Sequence, residues 1–138
     1  MSSLTYINEA GAGQKHSDEC HYSQAVIIPA TADVVKCSGQ GGWGNTGYCD
    51  AHNIKLQVDN AFDNVDRVLQ AVGLRGWEDV YSVRSYHVDI NESFPLVFEK
   101  LKRRLPGHRP IWTSIAVPTL AFPPMKIEIE VETFRENK

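Results

Sequence analysis

The stretch from Met125 to Phe134 reads MKIEIEVETF, and its strict alternation sorts two chemistries onto two faces of a strand. Ile127, Ile129 and Val131 point one way; Lys126, Glu128, Glu130 and Glu132 point the other. A row of carboxylates is tolerable on a solvated sheet face, where water screens like charges. A glutamate turned into a pocket behaves differently. Burial raises its pKa, and the group becomes available as a general acid or base.

A second candidate is Val34 to Gly47, VVKCSGQGGWGNTG, where a β-branched run empties into a glycine-rich loop. Bare backbone amides in such loops can cradle phosphate. Gly39 and Gly44 have the separation of a P-loop, but Asn45-Thr46 stands where Lys-Ser/Thr is required. Gly42, Gly44 and Gly47 match the dinucleotide spacing, yet four residues still separate them from the next amphipathic run. The spacing excludes a nucleotide loop and leaves Trp43, a costly residue to expose, unexplained.

Two further constellations carry chemistry on paper. His16, Cys20 and His21 lie close together, and Cys49 and His52 have a C-x-x-H spacing. A zinc site needs four placed ligands in matching pairs, and no metal is expected here. Ser85 and His87 alternate onto one face of a strand, but no carboxylate stands at a fixed spacing to complete a catalytic set. They read as core or interface residues.

These residues sit in a chain of 138 residues with 42% hydrophobic content and a net charge of −3, the values of one globular domain. The acidic balance argues against a nucleic-acid partner. The one basic cluster, Lys100, Lys102, Arg103, Arg104, His108 and Arg109, falls where a helix should end and complements its dipole. No apolar run approaches the roughly 20 residues of a membrane span. Three cysteines without a framework spacing, and no secretion signal, lead us to expect a reduced, cytoplasmic chain.

The elements that must position these groups follow from periodicity. Residues 1–20 are polar and unpatterned and read as an arm, leaving 21–138 as the domain. Ala25 to Pro29 and Asp33 to Cys37 read as a hairpin. Ile54, Val58, Ala61, Val65, Leu69 and Val72 recur at three and four, which predicts a helix closed by Gly73. A strand over 80–88 and a helix carried by Phe94, Val97, Phe98 and Leu101 follow, the helix stopped by Pro106-Gly107. Strands over 112–117 and 125–134 complete the order β-β-α-β-α-β-β. The fold class is α+β, a single domain with two helices packed on one face of a mixed sheet. The other face needs a cover, and a symmetric oligomer is expected to supply it.

Taken in order, several short pieces resemble one family. They are Tyr22-Ser23-Gln24-Ala25, Ser38-Gly39-Gln40, Gln57 through Phe62, Asn64-Val65, Leu69 and Gly73. Asp89-Ile90, Pro110, Leu120 and Ile127-Glu128-Ile129 continue the series. Over Tyr22 to Phe134 the chain resembles the Rid (YjgF-type) reactive-intermediate deaminases. The resemblance implies a chorismate-mutase-like homotrimer with a ligand cleft between subunits and no cofactor. It also implies Tyr22 as the residue closing the cleft, Glu128 as the group that positions or activates water, and Ser38 and Gln40 as ligand contacts. The glycines of Gly41 to Gly47 would then shape a cleft-edge loop.

One position departs from the pattern. The family writes Pro-small-Arg-small where this chain reads Pro110-Ile111-Trp112-Thr113, and a cysteine often found two positions later is Ser114. Trp112 cannot form the bidentate pair of a guanidinium with a carboxylate. It suits a flatter, more apolar or uncharged ligand. Arg109 and Arg84 are the cations to consider as replacements, although three residues on a strand put Arg109 on the face opposite Trp112. The resemblance therefore implies hydrolysis of a small imine, enamine or related labile metabolite, with a non-catalytic metabolite-binding trimer as the alternative. Ribonuclease activity is a third reading, opposed by the acidic balance and the lack of a His/Lys cleavage constellation.

Overall fold

The computed structural model describes residues 3–136; the outermost residues of the expected arm and domain, 1–2 and 137–138, lie outside that range. The chain runs β1 (Thr5–Ile7), α1 (Ala12–Cys20), β2 (Ala25–Ile27), β3 (Ala32–Lys36) and β4 (Gln40–Gly41). It continues through α2 (Ile54–Ala71), a 3₁₀ turn (Trp77–Asp79), β5 (Val80–His87), α3 (Ile90–Arg104), β6 (Ile111–Ala116) and β7 (Ile127–Glu136).

The long last strand organises the sheet. β7 lies between β5 on one side and β3 and β4 on the other, all antiparallel, while β6 runs parallel to β5 at the far edge. The result is a five-stranded mixed sheet in a single α+β domain. Register fixes the faces. Val83, Ser85 and His87 of β5 stand opposite Val131, Ile129 and Ile127 of β7, and opposite Trp112, Ser114 and Ala116 of β6. This is the face that α2 and α3 cover.

The core forms there because the helices supply apolar stripes at the right period. Val58, Ala61, Phe62, Val65 and Leu69 of α2 and Val97 and Leu101 of α3 pack on Val83, Ile127, Ile129 and Val131. Trp77 stacks on Phe62 at 4.4 Å, and its indole N–H donates to the Phe62 carbonyl at 3.0 Å, which satisfies the one polar atom of that buried ring. Both helices begin on side-chain caps: Asn53 accepts from the Leu56 amide and Asp89 from the Glu92 amide. The Asp89 cap starts α3 at Ile90, before the first residue of the apolar stripe. α2 ends as its periodicity requires, with Gly73 at φ 87°.

Two local expectations change. The runs at 25–29 and 33–37 do not pair with each other. β2 pairs with β1, Tyr6 opposite Val26, while β3 pairs with β7, Val35 opposite Thr133. Each run finds a partner far away in sequence: the N-terminal segment supplies one edge, and the ten-residue β7 is long enough to extend past β5 and offer the other. The second change is in the arm, where residues 5–7 form a strand and residues 12–20 a helix. α1 has no apolar stripe and is held by polar contacts, one to the nearby backbone and one to a distant side chain. Ser17 donates to the Tyr22 carbonyl at 2.5 Å, and Asp18 pairs with Arg109 at 2.8 Å.

Candidate functional site

The glycine loop is held by amide side chains on α2. Asn64 donates to the carbonyls of Gly41 and Trp43 at 2.8 and 2.9 Å, and Asn60 to that of Gly42 at 3.3 Å. A Cβ at Gly42 would strike the backbone of Gln57, so only glycine lets the loop press this close to the helix. The loop also uses its own amides, Gly44 donating to Tyr48 and Gly47 to Gly44, each at 2.9 Å. Those amides are not presented to a phosphate. Trp43 is accounted for too: with Tyr48, Cys49, His52, Phe122, Pro124 and Met125 it lines an apolar hollow of about 640 Å³.

The strand that enters the loop brings three of the sequence candidates together. Gly41 pairs with Glu128 and Gln40 with Ile129. A Cβ at Gly39 would fall on the Glu128 carboxylate, so the Ser38-Gly39-Gln40 backbone lies directly over that group. Burial beneath this segment raises the Glu128 pKa, and the neighbouring Glu130 charge adds to the effect. Glu130 is itself anchored by the Tyr86 hydroxyl at 2.7 Å, and Glu132 by the Tyr81 hydroxyl at 3.2 Å. Ser38 is exposed, and its carbonyl accepts from the Gln40 side chain at 3.2 Å.

The other candidates lie elsewhere. Trp112 and Ser114 share the helix-covered face, whereas Glu128, opposite Tyr86, shares the uncovered one. With β5 between them, β6 and β7 are about 10 Å apart. Tyr22 stands at the β6 edge, because Ser23 bridges to Ile111 and donates to the Arg109 carbonyl at 2.6 Å. The candidates thus fall into two separate halves: Tyr22, Trp112 and Ser114 around β6, and Ser38, Gln40 and Glu128 around β4 and β7.

At the first half-site the indole of Trp112 stacks on Phe94 of α3, 4.8 Å apart and 8° from parallel, and its N–H donates to Ser85 at 2.9 Å. Ser85 and His87 are fully buried. His87 contacts Ser85 at 2.8 Å through Nε2 and Ser93 at 2.6 Å through Nδ1. Burial lowers the His87 pKa to about 4, which keeps the imidazole neutral. Ser93 and Phe94 are the partners the sequence reading missed. The Asp89 cap signals that both lie in the opening turns of α3, but not that those turns dock over β5.

Neither alternative arginine stands beside Trp112. Arg109 is held by Asp18 at 2.8 Å, and Arg84 lies on the uncovered face, 3.9 Å from Glu132. His21 Nε2 donates to the Leu105 carbonyl at 2.6 Å, while Cys49 and His52 sit at the apolar hollow. Among the described residues no three His, Cys, Asp or Glu side chains gather as a metal site. Among the same residues no helix is long and apolar enough to cross a membrane.

Comparison with known proteins places this geometry among relatives. Residues 14–133 match the family model described as endoribonuclease L-PSP. A Rid-family protein of unknown function, YyfB from Yersinia pestis, superposes with a TM-score of 0.82 at 23% identity, over 96% of this chain and 98% of that one. A suspected endoribonuclease from Thermotoga maritima gives 0.68 at 28% identity, covering 84% and 87% of the two chains. The YjgF gene product of E. coli gives 0.66 at 24% identity, covering 83% and 88%. No curated protein matches the sequence significantly.

Proposed function

The chain belongs to the endoribonuclease L-PSP family, the Rid/YjgF group, and from that premise we propose that it hydrolyses a small imine, enamine or related labile metabolite. The reaction takes place in a cleft that two neighbouring copies of a homotrimer close. The observation that carries this reading is the Glu128 carboxyl, half-buried under a bare glycine backbone with its pKa raised. Such a group holds a proton at higher pH than an ordinary carboxyl and returns it readily, the property a general acid/base needs. Hydrolysis adds water across C=N. Glu128 takes a proton from the attacking water as the C–O bond forms and delivers it to the nitrogen. Collapse of the carbinolamine then breaks the C–N bond and releases ammonia and a carbonyl product.

The separation of the half-sites supports the two-copy cleft. Tyr22, Trp112 and Ser114 of one copy would face Ser38, Gln40 and Glu128 of the next, and the ligand would contact both. Trp112 in place of a guanidinium disfavours carboxylate-bearing enamines and imines such as 2-aminoacrylate and its imine tautomer. The test is ammonia release from a panel of imines and enamines generated in situ, with wild-type protein and Glu128→Gln. Turnover that falls about a hundredfold or more in the variant supports the reading. Equal turnover overturns it.

One observation favours a second reading, a non-catalytic metabolite-binding trimer. The Trp112–Phe94 stack gives a rigid aromatic wall where the family places its carboxylate clamp, a feature of binding rather than of chemistry. Ribonuclease activity is the weakest reading, because the net charge of −3 gives little attraction for a phosphate backbone.

A further inference from the structure

Two bare glycines place the apolar hollow and the Glu128 carboxyl on the same face of the sheet. Gly41 stands opposite Glu128 in the ladder between β4 and β7, so a side chain at 41 would leave the sheet on the Glu128 face. A Cβ there would meet the Trp43 ring at 2.5 Å and the Met125 methyl at 2.6 Å. Those two side chains line the hollow, and they rest on Gly41 from the Glu128 side. Gly39 does the same for the carboxylate, which a Cβ at 39 would strike. The two glycines are two residues apart, at most about 7 Å along the chain. Carboxylate and indole thus cover neighbouring points of one bare stretch of backbone.

The hollow is built as a ligand pocket and not as core packing. Its volume of about 640 Å³ falls within the range of small-molecule sites. Trp43 and Tyr48 come from the glycine loop, and Phe122 from the connection between β6 and β7. A core would bury such rings, yet Tyr48 is 71% and Phe122 62% exposed. Apolar rings scattered singly over a surface carry no meaning; three that converge on one concave site do. The Cys49 thiol in the lining brings no charge. It reaches the Pro124 carbonyl at 3.8 Å, and burial pushes its pKa up, so it stays a neutral wall.

We propose that the hollow holds a flat apolar substituent of the ligand whose nitrogen meets Glu128, so that the preferred imine or enamine carries an aryl-sized group. The proposal deepens the hydrolase reading and rests on its placement of Glu128 in the ligand site. Trp43, Tyr48 and Phe122 are then the residues that set specificity. Trp112 removes the hold on a carboxylate tail; the hollow supplies a hold of another kind, buried apolar area. Gly41 has to stay bare for this, because any larger residue would lift the indole off the strand.

The test is NMR titration near neutral pH with acetamidine and phenylacetamidine. Both offer the N–H pair that a carboxylate accepts, and they differ by one ring. Burying that ring should make phenylacetamidine bind about tenfold or more tightly. Trp43→Ala should remove most of that gap, and Phe122→Ser, at an exposed position, should narrow it in the same direction. Glu128→Gln should weaken both probes and leave the gap intact. Melting temperature and light scattering report the fold and assembly of each variant. Equal binding of the two probes by wild type would overturn the proposal, as would an unchanged gap in either ring variant that stays folded. Phenylacetamidine affinity untouched by Glu128→Gln would overturn it too, because ring and nitrogen would then occupy separate sites. A smaller assembled mass for Phe122→Ser than for wild type would make the hollow a contact between copies and sink it as well. None of these readings uses turnover. Equal ammonia release by wild type and Glu128→Gln sinks the hydrolase reading and leaves the probe gap standing; a missing gap sinks the assignment of the hollow alone.

Discussion

Half-buried Glu128 and fully buried His87 show how differently two titratable side chains can be placed. For Glu128 the fold resists the ionised form. Its pKa lies above the ordinary 4.5, so its unfavourable contribution grows as pH rises through the raised value and vanishes at acid pH. Glu128→Gln should therefore be at least as stable as wild type near neutral pH while losing turnover, and Glu132→Gln should keep its turnover. Thermal melts and ammonia release on the three proteins check both halves. His87 has the opposite sign. Its pKa falls from 6.5 to about 4, so the unfolded chain takes up the proton first, and stability present above pH 6.5 is lost as pH falls toward 4. Urea unfolding should show a drop of roughly 3 kcal/mol across that window, absent in His87→Gln. The alternation of Glu128 with isoleucines was legible in the sequence, as was the pairing of Ser85 with His87 on one face. That Ser93 completes the chain was not, because it depends on where α3 docks over β5.

Among the elements, α2 and β7 were readable because each repeats one signal over many residues: a period of three and four, and a period of two. The short segments were not. α1 and β1 to β4 carry at most nine residues each, and tertiary partners decide their state. Gln57 is the clearest such partner. It donates to the carbonyls of Asp50 and Pro124 at 2.7 and 2.9 Å and accepts from the Lys126 amide at 2.8 Å. One fully buried side chain thus joins the end of the glycine loop to the start of β7 and fixes the segment that aims Glu128. Gln57→Ala would leave the Lys126 amide without its acceptor and strip the Asp50 and Pro124 carbonyls of a donor each, while the Asn53 amide at 3.3 Å and the Cys49 thiol at 3.8 Å still reach them. It should cost about 1–3 kcal/mol, measured by denaturant unfolding. Because the damage falls on a positioning element, the folded fraction should also lose turnover when assayed well below its melting temperature.

For the whole molecule, the question is what a second copy would contribute. The uncovered sheet face carries Arg84, Tyr86, Glu128, Glu130 and Glu132, with Ile111 and Ile115 of β6 and Val34 of β3 beside them, so a partner would meet charged and apolar groups together. A site split between opposite faces of the sheet, with β5 between its halves, would draw its missing half from a second copy. Light scattering at micromolar concentration should give three times the 15.5 kDa chain mass; a monomer would remove the two-copy cleft. A sharper test uses complementation. Glu128→Gln spoils only the half-site at β4 and β7, and Tyr22→Phe only the half-site at β6. If each cleft draws its halves from different copies, a randomised equal mixture of the two inactive proteins forms intact clefts. Such a cleft needs one particular variant on each side, each present with probability one half, so about a quarter of clefts recover. Activity of the unfolded and refolded mixture should rise to about a quarter of wild type, while each variant refolded alone stays inactive. If both halves of every cleft come from one chain, the mixture recovers nothing, because no chain in it carries an intact pair.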